Sequence, residues 1–230
     1  MILLLTTAFA QTRPPACIGA PDLPANTTLD AWIQGSTGLA VVDLPPGVYS
    51  LDATVDHLDG LVICGSATGV VLTGDHPGGA LRGAIPHLAI WNVALSNSNG
   101  PALAVDLIPD GQGITLTRVT ACVGGINPAV RIEGAGSVVV EDSLFTGGTS
   151  FRGTHLYLVG AGGALDATIE RSTFLGGVST GAGGAIFAAA STVLYIARSD
   201  FVGNRAQEGG AVAAQGLLEV VAGSFVDNVA

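Results

Sequence analysis

Lysine is absent from this 230-residue chain: all 8 basic residues are arginine, against 18 acids, for a formal net charge of -10. A surface of that sign repels phosphate backbones and anionic headgroups, so no nucleic-acid partner is expected. Charge of either sign is scarce at 11%, and aromatic residues make up only 5%. With 48% hydrophobic residues and 34 glycines, the chain is too apolar to stay disordered and too glycine-rich for a helical protein. Beyond the first residues nothing approaches the ~18 uninterrupted apolar residues of a membrane helix, so the body is not expected to span a membrane. Cysteines number 3, namely Cys17, Cys64 and Cys122. One must stay unpaired in any intramolecular scheme. None forms a C-x-x-C pair or lies near a histidine, which leaves a structural zinc site unsupported and no cofactor expected.

What the chain does contain is a repeat. Gly183-Gly184-Ala185-Ile186 leads to Phe201-Val202-Gly203-Asn204, Gly162-Gly163-Ala164-Leu165 leads to Phe174-Leu175-Gly176-Gly177, and Gly209-Gly210-Ala211-Val212 leads to Phe225-Val226-Asp227-Asn228. Self-similarity at this length marks a solenoid. An aliphatic residue five places before each anchor extends the phasing upstream: Thr68 behind Ile63, Leu95 behind Ile90, Ala121 behind Leu116, Phe145 behind Val140, Phe174 behind Ile169, Phe201 behind Ile196 and Phe225 behind Val220. Anchor spacings of 27, 26, 24, 29, 27 and 24 residues suit β-helix coils whose loops alone change length. Leu194-Tyr195-Ile196 and Leu218-Glu219-Val220 alternate with the period of a strand. Gly148, Gly177, Asn204 and Asn228, three residues past the aromatic anchors, are types that accept a left-handed backbone, and the Gly-Gly pairs permit a second tight corner. The fold expected is all-β: a right-handed parallel β-helix of seven to nine coils with a short N-terminal capping helix.

The Gly-Gly-Ala-aliphatic and Phe-x-x-Asn units resemble the repeats of polymorphic outer membrane proteins, carried on a right-handed β-helix of pectin-lyase type. The specific motifs cover roughly residues 138 to 230, and Leu44-Pro45-Pro46-Gly47-Val48-Tyr49 and Leu61-Val62-Ile63-Cys64-Gly65 resemble the opening coils of such helices more weakly. The resemblance implies a secreted or surface-exposed bacterial scaffold and brings no catalytic residues with it.

In chain order, Met1 to Ala10 has an apolar core and ends Ala8-Phe9-Ala10, an A-x-A cleavage pattern. It lacks a basic n-region, so an imperfect secretory signal, an upstream start and a disordered apolar terminus remain open. Residues 11–36 read as a cap: Asn26-Thr27-Thr28-Leu29-Asp30-Ala31-Trp32-Ile33 offers a threonine cap and apolar positions at 29, 32 and 33, suited to a helix laid across an open first edge. Asn26-Thr27-Thr28 also matches a short glycosylation sequon, which in a bacterial protein reads as incidental. The β-helix occupies residues 37–230. Cys64 follows the inward Ile63 and faces outward, while Cys122 lies two coils on, beyond disulfide reach. A bridge from Cys17 to Cys64 is favoured, with three free thiols the alternative. Asn228-Val229-Ala230 ends without a closing coil, so the parent chain is expected to continue, with an outer-membrane barrel as one continuation that the resemblance suggests. This piece is expected to self-associate through its C-terminal edge.

Candidate chemistry is sparse. Of the signatures that polygalacturonases share, only the first two positions of Arg-Ile-Lys occur, in Arg131-Ile132-Glu133. His57, His76, His87 and His155 are scattered and read as surface or turn residues. Arg118, Asp142, Arg171 and Arg198 occupy one column, with Glu141 and Glu170 preceding two of them, and opposite charges should stack one strand apart. Asp142 and Arg171 are the only candidates there for lyase or glycosidase chemistry. The other candidate is a length anomaly: Phe145 stands 17 residues before Gly162, against 9 from Phe174 to Gly183. Residues 149–161 therefore contain an insertion, for which a plain strand extension through Leu156, Leu158 and Val159 is favoured, with a binding loop that uses Phe151, Arg152, His155 and Tyr157 as ligand contacts the other reading. The function expected is a secreted or cell-surface adhesin, passenger or structural interaction module that contacts glycans or a host or neighbouring cell surface. A polysaccharide lyase or glycosidase is the alternative.

Overall fold

A computed structural model describes residues 13–66, 69–107, 113–123 and 126–230. The signal-like residues Met1 to Ala10 and the anchor Thr68 lie outside them. Three long parallel sheets of 8, 8 and 7 strands run along a solenoid of about 7 turns. Each coil visits the first, second and third sheet in turn. One coil runs through Gly136–Glu141, Leu144–Thr146, Thr149–Arg152 and Leu156–Val159, and the next through Leu165–Glu170, Thr173–Leu175, Val178–Ala182 and Ile186–Ala188. The short strands Thr149–Arg152 and Val178–Ala182 pair as a fourth wall at the corner between the second and third sheets.

Alternation places one file of each sheet inward. In the first sheet that file is Val42, Ile63, Ile90, Leu116, Val140, Ile169, Ile196 and Val220, and in the second it is Tyr49, Leu72, Leu95, Ala121, Phe145, Phe174, Phe201 and Phe225. From the coil of Ile90 and Leu95 onward both files match the sequence phasing, but in the coil of Ile63 they do not. There the position expected for Thr68 belongs to Leu72, because a longer turn separates Ile63 from the second sheet. The four phenylalanines stack at centroid distances of 5.0, 4.8 and 4.7 Å with nearly parallel rings. That separation is the strand spacing itself, so the sheet register imposes the stack.

The corners differ from expectation in two respects. Gly148 is left-handed at φ +90°, but the residue common to this corner is one place earlier, with Gly147, Gly176, Gly203 and Asp227 at φ between +55° and +67°. Asn204 and Asn228 instead direct their side chains at backbone groups of the coil behind. The Asn204 amide donates to Phe174 O and accepts from Gly177 N–H, and Asn228 donates to Phe201 O. The second difference concerns Gly162-Gly163-Ala164-Leu165. Leu165 pairs with Gly136 and Thr192 in the first sheet, whereas Ile186 lies in the third, paired with Leu156 on one side and Val212 on the other. The true counterpart of Gly183-Gly184-Ala185 and Gly209-Gly210-Ala211 is therefore Gly153-Thr154-His155. A β-carbon on Gly153, Gly183 or Gly209 would fall 2.1, 2.1 or 2.2 Å from the carbonyl oxygen three residues on, so all three corners demand glycine for one steric reason. Residues 149–161 are consequently no insertion: Phe145 to Gly153 is 8 residues, like Phe201 to Gly209, and Leu156–Val159 is an ordinary strand of the third sheet.

At the N-terminal end, helix Leu29–Gly35 closes the core. Thr28 caps it by accepting from Ala31 N–H, and Leu29 and Ile33 are buried. The helix also satisfies open backbone groups of the first coil: Asp30 accepts from Asp52 N–H and Gln34 donates to Thr54 O. Residues 13–23 form a strap on the outer face of the first sheet. Pro21 and Leu23 pair with Asp43 through the backbone, Arg13 pairs with the Asp43 carboxylate, and Cys17 is bonded to Cys64 with Cα atoms 5.8 Å apart. Cys64 faces away from the main core but is not exposed, because the strap seals it with Val62 and Trp91 into a small outer cluster. Reduction is expected to remove ~2 to 4 kcal/mol locally. Hydrogen exchange with and without dithiothreitol should show protection lost over residues 13–44 and retained over residues 165–202. Equal loss in both regions would contradict a local latch. At the other end the last coil leaves Val220 and Phe225 41% and 46% exposed.

Candidate functional site

The outward files of the third sheet bring aromatic, basic and acidic side chains together on one surface. Each inward aliphatic of that sheet is followed by an outward residue, giving the file Thr54, Arg82, Ala104, Arg131, Tyr157, Phe187 and Ala213. Two places further along each strand comes a parallel file, Ala84, Asp106, Glu133 and Val159. Strand alternation alone brings these groups onto one face.

Two cavities lie end to end along this face and share Arg131. One, of about 360 Å³, is lined by Thr54, Asp56, Arg82, Ala104 and Asp106, among others. The next, of about 310 Å³, lies between Ile126, Asn127 and Pro128 on one side and Phe151, Arg152 and Tyr157 on the other, with Glu133 in its wall. The fourth-wall strand Thr149–Arg152 supplies the aromatic rim. The Arg152 guanidinium sits 5.3 Å from the Phe151 ring centre and 4.9 Å from that of Phe187, and Tyr157 stacks on Phe187 at 5.5 Å. This stack buries Phe187, while Phe151 stays 65% exposed. The polar groups are held in place: Arg131 bonds Glu133 at 2.7 Å, Arg82 bonds Asp52 at 2.6 Å, and Asp56 accepts from Ala84 N–H. The hydrogen bond from Arg82 lowers the Asp52 pKa.

Phe151, Arg152 and Tyr157 thus meet in one trough, but His155 does not join them. Its side chain is fully buried and points into the coil, with its ring centre 6.1 and 5.9 Å from those of Phe145 and Phe174. Arg82, Asp106 and Phe187 carry no motif in the sequence, and Arg131 and Glu133 stand there only in an incomplete one. Extending the phasing to the residue after Leu81, Leu103, Val130, Leu156 and Ile186 locates the first outward file.

Asp142 and Arg171 sit at a different corner, between the first and second sheets. There Arg118, Asp142, Arg171 and Arg198 adopt φ between +46° and +56°. Arg171 bonds Asp142 at 2.8 Å and Glu170 at 2.5 Å, Glu141 lies 3.6 Å away, and Arg198 reaches Glu170 at 3.2 Å. The hydrogen bond that Arg171 donates to Asp142, opposed by partial burial and helped by the neighbouring acids, pushes the Arg171 pKa still higher. Beneath this corner Ser143, Ser172 and Ser199 form a buried ladder. Each hydroxyl donates to the carbonyl two residues earlier and accepts an N–H from the preceding coil, namely Val119, Ser143 or Ser172.

Among the described residues no group of three or more His, Cys, Asp or Glu is placed to hold a metal ion, and no helix is long and apolar enough to cross a membrane. Comparison with protein-family models, curated proteins and solved structures gives no match.

Proposed function

We propose that the chain is a secreted or cell-surface β-helix module of the adhesin or passenger kind, which retains glycans in the trough of the third sheet without breaking bonds. The observation that carries this reading is the Phe151–Arg152–Phe187–Tyr157 stack opening onto carboxylates and arginines. Aromatic faces present apolar area to the C–H faces of sugars, and the fixed polar groups orient hydroxyls. The Cys17–Cys64 bridge is the chemistry of an oxidising compartment and supports export. The repeats' resemblance to polymorphic outer membrane proteins points the same way.

The alternative of a pectin-lyase-like lyase or glycosidase has one observation in its favour: Asp106 and Glu133 are direct cross-strand neighbours on the trough face, and paired carboxylates are the tools of glycoside hydrolysis. Against it, Arg131 occupies Glu133, and a raised pKa makes Arg171 a poorer base for elimination. The deciding experiment measures retention on immobilised polysaccharides beside a calcium-supplemented cleavage screen. Retention without new reducing ends is expected, with Arg152→Ala plus Tyr157→Ala weakening it about tenfold, or ~1.4 kcal/mol, at unchanged circular dichroism. Turnover abolished by Asp142→Ala or Arg171→Ala would overturn the binding-only reading.

A further inference from the structure

The trough does not end at the aromatic rim. The cavity toward Thr54 begins where the aromatic-rimmed one stops, at Arg131, and extends three strands further. From Thr54 to Tyr157 the first outward file crosses five strands, a length of roughly 19 Å at the spacing of neighbouring strands. The floor of the extension is small, with Gly83, Ala84 and Ala104 between the flanking polar groups. Such a floor leaves room for a chain lying along the solenoid axis, and an extended β-linked hexose chain advances by about one strand spacing per sugar.

The charges of the extension indicate what kind of chain. Arg82 and Arg131 are each held by a carboxylate, Asp52 and Glu133 respectively. Asp56 and Asp106 have no ion-pair partner among the described residues. The trough therefore offers a polyanion little net attraction, on a molecule already carrying -10. Carboxylates that accept from hydroxyls, beside arginines that keep spare N–H donors, suit an uncharged polyol.

We infer that the trough holds an internal segment of a neutral, linear glycan, with about one sugar over each coil from Asp56 to Tyr157. This rests on the glycan-binding reading above and adds the length, direction and charge of the ligand. Calorimetry with neutral β-1,4-linked oligomers of glucose, mannose and N-acetylglucosamine, two to eight sugars long, tests it beside oligogalacturonates of equal length. For at least one neutral series, Kd should fall about threefold with each sugar from the third to the fifth, or ~0.65 kcal/mol per step, and then level off. Asp106→Ala should flatten that length dependence, whereas Tyr157→Ala should weaken every length. Ala104→Trp, which blocks the floor, should reproduce the Asp106→Ala pattern. Affinity that stops improving at two sugars, or tighter binding of the galacturonates, would overturn the inference while leaving the binding function standing. Failure of every oligomer to bind the folded protein would sink both.

Discussion

Acidification from pH 7 to pH 4 is expected to cost the central coils roughly 3 kcal/mol through one side chain, His155. The strands around it set the effect. From Leu81 to Val212, the residues preceding the inward aliphatics of the third sheet form a file of buried alanines, Ala80, Ala102, Ala129, Ala185 and Ala211, interrupted by His155. The imidazole Nε2 lies 3.0 Å from the Gly147 carbonyl, and Nδ1 has no hydrogen-bond partner among the described residues. The neutral tautomer with Nε2–H donating to Gly147 O satisfies this arrangement, and a charged ring would add a second donor in a desolvated site. Burial accordingly lowers the His155 pKa from 6.5 to about 4, against a smaller opposing effect of the Gly147 hydrogen bond.

The sign of the pH dependence follows from which state takes the proton. Between pH 6.5 and about 4 the unfolded chain binds a proton that the folded chain refuses, so stability falls as pH falls through that window. The stabilising contribution is complete above the upper limit and gone below the lower. Carboxylates titrate near the bottom of the same range, so wild type should be compared with His155→Ala, which restores the alanine file. The variant starts lower because of the cavity it leaves, but its slope between pH 6.5 and 5 should be nearly flat. Ring-proton NMR should place the folded His155 titration near pH 4. A midpoint at or above 6 would remove the basis for the effect.

How far the sequence discloses the molecule depends on the rigidity of each feature's geometry. The inward files of the first two sheets are legible because a fixed corner separates Ile196 from Phe201 and Val220 from Phe225, and the stacked sheets repeat it. The same rule fails at Thr68, since the longer corner after Ile63 displaces the inward position to Leu72. Gly162-Gly163-Ala164 reproduces the letters of the corner motif without its physics. A β-carbon on Gly162 would meet nothing within 4 Å, whereas Gly153, in a stretch of unrelated appearance, has no room for one. The error conceals His155, whose place in the alanine file is visible only once Gly153-Thr154-His155 is aligned with Gly183-Gly184-Ala185. Half of the trough is hidden for a related reason. Strands of the third sheet carry no aromatic anchor until Leu156–Val159, so nothing in the letters alone aligns Arg82, Asp106 and Glu133.

Asn204→Ala is expected to be the most damaging polar substitution in the chain, costing roughly 3 to 5 kcal/mol, because it removes a buried donor to Phe174 O and the buried acceptor of the Gly177 N–H. Left-handed Gly203 turns the chain sharply out of the second sheet, and the polar groups at this corner cannot all be met by strand pairing. The fully buried Asn204 side chain meets them: its amide donates to Phe174 O at 3.0 Å and to the Asn228 side chain at 2.9 Å, and its oxygen accepts from Gly177 N–H at 2.9 Å. A β-carbon on Gly177 would lie 2.3 Å from Gly184 O, so the corner is too close-packed for a larger neighbour to move in as substitute. Asn204→Asp keeps the shape but replaces a donor with an acceptor facing Phe174 O and Asn228 Oδ1, and it should be no milder than alanine. Asn228→Ala is the control. That residue is partly exposed in the last coil, where water can replace it, and about 1 kcal/mol is expected. Hydrogen exchange at the Gly177 amide, combined with urea melts of the three variants, distinguishes the cases. An Asn204→Ala protein within 1 kcal/mol of wild type, with Gly177 still protected, would show that the corner does not depend on the asparagine ladder.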